Sequence, residues 1–245
     1  MSNADRLLEG AMDIHVHCGP DPRVERRGSA IDVAQQAREM GMLGMVLKSH
    51  EFPTSQMAYT ASQAVPGITL IGGVALDLEV GGLNPLAVES TAKVGGRVVW
   101  MPTYSAQADR QAKGLDGGIY LLDDQGKLLP EVFSVLEVIK SHDMVLATGH
   151  ISTQESMALV SEARGMGIER VVVTHGTTMS FWTGMTVEDM KQLASMGAYI
   201  EHCLHVMMPL THRLPPKELV KTIMSIGPES CIISSDFGQD FHPMP

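Results

Sequence analysis

Eight short apolar runs alternating with longer segments of helical periodicity predict an α/β fold, a closed (β/α)8 TIM barrel. The 24 glycines supply the turns that so many strand-to-helix junctions need. The runs are residues 12–18, 42–50, 68–77, 96–103, 144–150, 170–176, 198–204 and 231–238. Each has strand length and is almost continuously apolar, the pattern of parallel strands covered by crossover helices. Helices are predicted between them, near 30–40, 55–64, 84–94, 131–142, 153–164, 186–196 and 216–226. Ser29, Thr186 with Asp189, and Pro215-Pro216 mark the starts of the first, sixth and seventh, by capping or by presetting φ. An open doubly wound sheet is the alternative, but neither GxGxxG nor GxxxxGK[ST] follows a strand to support it. Residues 1–245 are expected to form one domain. The chain stops nine residues after Asp236, so the eighth helix is expected to be missing or to lie beyond the chain end.

Two connections are long enough to matter, and both follow strands, which puts them at the face where barrels carry their chemistry. Residues 104–130 contain Gly117-Gly118-Ile119-Tyr120-Leu121-Leu122 and then Asp124-Gln125-Gly126-Lys127, read as a small β-hairpin insertion after the fourth strand. Residues 205–215 hold His205, Met207, Met208, His212 and Arg213.

Composition removes several function classes. With 18 basic and 28 acidic residues the net charge is −10, so no broad basic face is available for nucleic acid. No run approaches the roughly 18 apolar residues that span a bilayer, and the N-terminus lacks a secretory pattern; a cytoplasmic protein without membrane contact is expected. Cys18, Cys203 and Cys231 are odd in number and widely spaced, as reduced thiols would be. Met1–Ala4 are assigned no structural role. A small-molecule substrate is the expected partner, and the apolar content is compatible with a homo-oligomer.

The chemistry starts at Asp13-Ile14-His15-Val16-His17. Alternate residues of a strand share a face, so His15 and His17 point the same way and can share one ion, or else are core histidines satisfied by hydrogen bonds. Three other apolar runs end in a polar tip: Thr148-Gly149-His150, Thr174-His175 and Ser234-Ser235-Asp236. Four histidines and a carboxylate at one barrel mouth form a donor set suited to Zn²⁺ or a similar divalent ion.

These motifs, in this order along nearly the whole chain, resemble those of the amidohydrolase superfamily of metal-dependent hydrolases. The resemblance implies that His15 and His17 are metal ligands, and that His150 and His175 are ligands or their hydrogen-bonding partners. Asp236 resembles the carboxylate that binds metal and moves a proton, which makes Asp236 and His175 the candidate catalytic residues. Two-metal members usually carry a lysine, carboxylated to a carbamate, or a glutamate at the end of the fourth strand. This chain has Val99-Trp100-Met101-Pro102-Thr103 there instead. Lys48 and His50, two apart at the end of the second run, offer a substitute. Lys48 is a carbamate bridge, a cationic substrate contact, or a buried lysine paired with Asp13 or Asp236. His50 and Arg23 are candidate substrate contacts, although Arg23, Arg26 and Arg27 also read as solvated surface charges. Phe181, Trp182 and Tyr120 are candidate pocket residues or rim packing. His202 and His205 read as supporting or surface residues, His142 as remote, and Cys18 as facing away from the metal.

The expected function is hydrolysis of an amide, ester, lactone or cyclic amide by metal-activated water, with Asp236 moving the proton. The alternatives are a decarboxylase or other lyase, a phosphoesterase, and a non-catalytic metal-binding barrel. Elemental analysis of protein purified without chelator is expected to find about one equivalent of divalent metal, or about two if Lys48 bridges. That metal should be lost in the His15→Ala/His17→Ala variant. Protein that holds no metal and takes up neither Zn²⁺ nor Mn²⁺ would favour the scaffold.

Overall fold

The computed structural model describes residues 3–242 and 244. It contains α1 (Asn3–Leu8), β1 (Met12–His17), α2 (Ala30–Glu39), β2 (Gly44–Lys48), α3 (Ser55–Ala64), β3 (Thr69–Ile71), β4 (Gly73–Ala75) and α4 (Pro85–Lys93). There follow β5 (Val98–Trp100), α5 (Gln107–Ala112), α6 (Pro130–Ser141), β6 (Val145–Ala147), α7 (Thr153–Gly165) and β7 (Val171–Val173). The chain continues through α8 (Gly176–Trp182), α9 (Val187–Ser195), β8 (Tyr199–Cys203), α10 (Pro216–Ile226) and β9 (Cys231–Ser234).

Every strand pair is parallel, in two sheets ordered β1-β2-β3 and β4-β5-β6-β7-β8-β9. The third predicted run is split, β3 pairing with β2 and β4 with β5 on either side of Gly72. The outer strands β1 and β9 are linked just beyond β9, where Val16 bridges Phe237 in parallel. There the His17 N–H donates to the Phe237 carbonyl at 2.8 Å and the Asp236 N–H to the His15 carbonyl at 2.9 Å.

The helices begin where the sequence places their signals. Ser29 with Asp32, Ser152 with Glu155 and Thr186 with Asp189 each form a reciprocal capping box. Proline opens α4, α6 and α10, where its missing N–H is not needed. Helices α2, α6 and α7 each bury one stripe; in α6 it is Val132, Val135, Leu136 and Ile139. The strands are apolar on both faces for two reasons. Val74, Val99, Leu146, Val173 and Ile200 pack with α4, α6, α7 and α9, while Val16, Met45 and Leu47 pack under α2 and α3. On the other face Val46, Ala75, Val98, Trp100, Ala147 and Val172 meet one another. That second cluster is the apolar floor beneath the polar strand tips.

Three details differ from the sequence-based expectation. The segment after β5 opens with α5, and its antiparallel part is confined to the Leu122–Leu128 bridge, flanked by the Asp123 N–H to the Lys127 carbonyl and the Leu129 N–H to the Leu121 carbonyl, both at 2.8 Å. The Asp123 side chain accepts the N–H groups of Gln125 and Lys127 and curls the chain into the turn between the paired segments. Helices α5 and α8 are too short, at 6 and 7 residues, to register as periodicity. Asn3 and Ala4 belong to α1, whereas Met1 and Ser2 lie outside the described residues. After β9, as the sequence leads one to expect, no helix follows among the described residues, and the chain returns across the loop after β1, the Arg27 N–H donating to Gly238 and the Asp240 N–H to Glu25. No described helix is long and apolar enough to cross a membrane.

Three polar tips share a backbone device. Gly149 at φ 66°, His175 at φ 58° and Asp236 at φ 54° are all left-handed, which turns the chain off its strand and over the apolar floor. For His175 and Asp236 this conformation costs about 1–3 kcal/mol each. At Gly149 an added Cβ would also lie 2.2 Å from the Met101 carbonyl oxygen. Gly149→Ala is therefore expected to destabilise by more than Gly167→Ala, a position at φ 85° with nothing within 4 Å. Urea denaturation of the two variants measures the difference, and equal losses would show that the close approach at Gly149 relaxes freely.

Candidate functional site

The site begins with an irregularity in β1. Its register against β2 gains a residue between Asp13 and Val16, a bulge of the kind that re-aims a side chain. His15 and His17 lie together with ring centroids 5.4 Å apart, both buried. Val16 and Cys18 pack on the opposite side, in the cluster under α2 and α3. Burial pushes the Cys18 thiol up to about 12, so it is inert as expected.

Asp236 is the hub. Its Oδ1 lies 3.3 Å from His15 Nε2 and 3.2 Å from His17 Nε2; its Oδ2 lies 3.3 Å from His205 Nδ1 and 3.8 Å from His175 Nδ1. Burial works to raise the Asp236 carboxyl, but His15, His175 and His17 together hold it well below the usual carboxylate range. Burial drives the imidazoles the other way, His17 down to about 3 and His175 well below its ordinary value.

Carboxylates anchor two of these rings from behind. His15 Nδ1 donates to Glu201 at 3.2 Å, and Glu201 also accepts from the Ser234 hydroxyl at 2.8 Å and the His175 N–H at 3.2 Å. His150 Nδ1 donates to Asp109 at 3.2 Å, and Asp109 is held in turn by Lys113 at 2.6 Å. Such partners fix which ring nitrogen carries the proton.

The predicted residues His15, His17, His150, His175, Asp236, Lys48 and His50 converge on this region and all are buried. Lys48 Nζ lies 3.0 Å from His15 Nε2 and 5.5 Å from the centre of the Trp100 ring. Burial pushes its pKa down against the pull of Asp236 and Glu201. Asp13 is not its partner, because that carboxylate accepts the backbone N–H groups of His15 and Ser235. Arg23 does not line the cavity: it is half-exposed, engaged by Glu51 and Glu79, with its guanidinium 5.7 Å from the centre of the Tyr104 ring. Arg26, expected at the surface, has a buried guanidinium paired with Asp21 and lines the cavity.

A cavity of about 270 Å³ opens above the hub, lined among others by His17, His50, Tyr104, His150, Trp182 and Asp236. Its aromatic walls are Tyr104, Trp182 and Phe241, whereas Tyr120 is exposed and faces a separate groove. His205 belongs to the site and not the surface; His142 stays remote, paired with Glu89. Sequence reasoning missed Glu201, Cys203, Asp109 and Tyr104. For the first two a signal existed, since Glu201-x-Cys203 has the same spacing as His15-x-His17 within an apolar run.

The donor set fits a divalent cation. Atoms of His15, His17 and Asp236 lie within 4.8 Å of one another, as do those of His15, His175, Glu201 and Cys203. His17 Nδ1, His150 Nε2 and His175 Nδ1 are buried without a hydrogen-bond partner among the described residues. Buried ring nitrogens are costly in that state and are natural ligand atoms.

Comparison with known proteins adds a family and a fold. The family described as "Family of unknown function (DUF6282)" matches residues 10–201. No curated protein matches the chain. Among solved structures, an amidohydrolase from Pseudomonas aeruginosa is 14% identical with TM-score 0.63, over 98% of this chain and 78% of that one. A probable dipeptidase from the same organism is 10% identical with TM-score 0.66, over 96% and 86%. An organophosphorus hydrolase from Deinococcus radiodurans is 11% identical with TM-score 0.56, over 96% and 79%. At these identities the likeness establishes the α/β fold that the chain shares with them.

His202, on the opposite side of β8 from Glu201, provides a test of the burial electrostatics. Its Nδ1 meets the Thr177 hydroxyl at 2.6 Å, Nε2 has no partner among the described residues, and burial pushes its pKa down to about 4. Between pH 6.5 and 4 the unfolded chain takes up a proton that the folded chain refuses, so stability present above 6.5 is lost as pH falls. Each such histidine contributes a slope of about 1.4 kcal/mol per pH unit in that window. Urea denaturation of metal-free protein at pH 7, 6 and 5 should show this loss. His202→Asn should be flatter than wild type, and identical slopes would contradict a neutral buried His202.

Proposed function

The chain belongs to the DUF6282 family, and we propose that it is a metal-dependent hydrolase of the amidohydrolase type, cleaving an amide, ester, lactone or cyclic amide bond of a small molecule. One observation carries the reading. Asp236 is a buried carboxylate in a left-handed conformation, approached by histidines at both oxygens, beside a cavity of small-molecule size. The fold shared with an amidohydrolase, a dipeptidase and an organophosphorus hydrolase supports it. The framework we infer is one domain, a (β/α)8 barrel closed by the β1 to β9 link.

His15, His17 and Asp236 would hold a divalent ion, with His150 and His175 as further ligands or their partners; zinc is the expected metal for imidazole and carboxylate donors. Lys48, beside His15, is the side chain at which a carbamate would bridge a second ion. When bound, such an ion supplies a Lewis acid and brings the pKa of its water to about 7. The chain's own groups do the rest. Asp236 would take a proton from water at its carboxylate and return it to the leaving group, while Glu201 fixes the His15 ring from behind through Nδ1. Tyr104 and Trp182 wall the cavity and keep out bulk water, which strengthens the electrostatics inside. The free thiols of Cys18, Cys203 and Cys231 suit a cytoplasmic setting.

Zn²⁺- or Mn²⁺-loaded protein should hydrolyse at least one member of a panel of small amides, cyclic amides, esters and lactones. Asp236→Asn should lower kcat by at least about 100-fold while much of the metal stays bound. Unchanged turnover in that variant would overturn the role of Asp236.

A further inference from the structure

His50 has a place in this site that the hydrolase reading leaves unused. It sits just past the end of β2, fully inside the protein, and its ring is stacked on two neighbours. The Tyr104 ring lies 3.9 Å away at 20° and the His17 ring 5.0 Å away at 21°. Its Nδ1 is 2.6 Å from the Thr103 hydroxyl. That hydroxyl also bonds Asp77 Oδ2, and the other Asp77 oxygen is taken up by the N–H groups of Thr103 at 2.9 Å and Ser105 at 2.7 Å. All three side chains of this relay are buried.

Counting protons along the relay fixes the histidine. A carboxylate only accepts, and a hydroxyl has one hydrogen to give. The Thr103 hydrogen therefore goes to Asp77, and the lone pair left on Thr103 Oγ1 takes the N–H of His50 Nδ1. Neutral imidazole has a single N–H, so Nε2, at the far edge of the ring, carries a bare lone pair. Nε2 has no hydrogen-bond partner among the described residues, and His50 lines the cavity. Nor does His50 belong to either set of side chains close enough to share an ion. Its plane is nearly parallel to that of His17, and in-plane lone pairs on stacked rings run side by side without converging.

We propose that His50 is a substrate-binding residue, a hydrogen-bond acceptor locked by Asp77 and Thr103, and that the substrate presents an N–H or O–H donor to its Nε2. The inference rests on the hydrolase reading and narrows it: amides and cyclic amides that carry an N–H fit this site, whereas simple esters and lactones bring no donor to this cavity-facing acceptor. Sites built around such a bond reject the analogue that lacks the donor.

The experiment is ¹⁵N NMR of histidine-labelled protein, metal-free and Zn²⁺-loaded, with the His50 signals identified by their loss in His50→Leu. The expected result is a protonated Nδ1 and a bare Nε2 in both forms, with mixed tautomers in Thr103→Val, which removes the hydroxyl at constant shape. A protonated Nε2, or an Nε2 signal that moves to a ligated position on adding Zn²⁺, overturns the proposal. In turnover, an N–H substrate should exceed its N-methyl analogue by at least about 100-fold in kcat/KM. His50→Leu should bring the pair within about tenfold. Activity confined to esters and lactones without a donor overturns the substrate assignment. The tautomer is read without turnover, so a protein that hydrolyses nothing would sink the hydrolase reading and still decide the state of His50.

Discussion

The structure depends on the pairing of buried imidazoles with buried carboxylates. Glu201 is the most consequential of these, because one side chain on β8 accepts from His15 on β1, from Ser234 on β9 and from the backbone of His175 after β7. Four segments far apart in sequence are thereby pinned at one point. Without that acceptor His15 would be left with an unmet donor in a region with no access to water, a state costing about 1–3 kcal/mol. Asp109 does the same for His150 from an unrelated helix, and Asp77 does so for His50 through Thr103.

The charge balance follows from those pairings. Asp77, Asp109, Glu201 and Asp236 are all buried around the mouth, and Lys48 is the one fully buried ammonium there among the described residues. Lys113 reaches Asp109 from the half-exposed rim. The buried Arg26 is taken up by Asp21, and burial disfavours the charge on Lys48 as well, so the four carboxylates outnumber the cations that face them. A bound cation is the natural complement of that arrangement.

Backbone geometry places the same groups where they can act. A bulge turns His15 toward the site, and Asp13 accepts the N–H groups of His15 and Ser235 there. Left-handed residues turn His175 and Asp236 off their strands at a conformational cost that the surrounding packing must offset. Directly beneath, Val46, Trp100, Ala147 and Val172 form an apolar floor.

Local pattern was enough to determine the alternation of strands and helices. The eight apolar runs each contain a strand, and the seven predicted helices appear within a residue or two of their expected bounds, because periodicity and capping are properties of neighbouring residues. The strand-tip residues His15, His17, His150, His175 and Asp236 were legible for the same reason: a polar residue ending an apolar run is conspicuous. Tertiary structure alone decided what stands behind them. Asp109 lies on a helix too short to show a period, Tyr104 and Trp182 became the cavity walls while Tyr120 did not, and Arg23 was drawn to Glu51 and Glu79 at the rim. Glu201 could have been flagged by its spacing, but that it faces His15 is a matter of how β8 lies against β1. Pairings across 186 residues of chain depend on how the sheet is assembled, and no local periodicity encodes that.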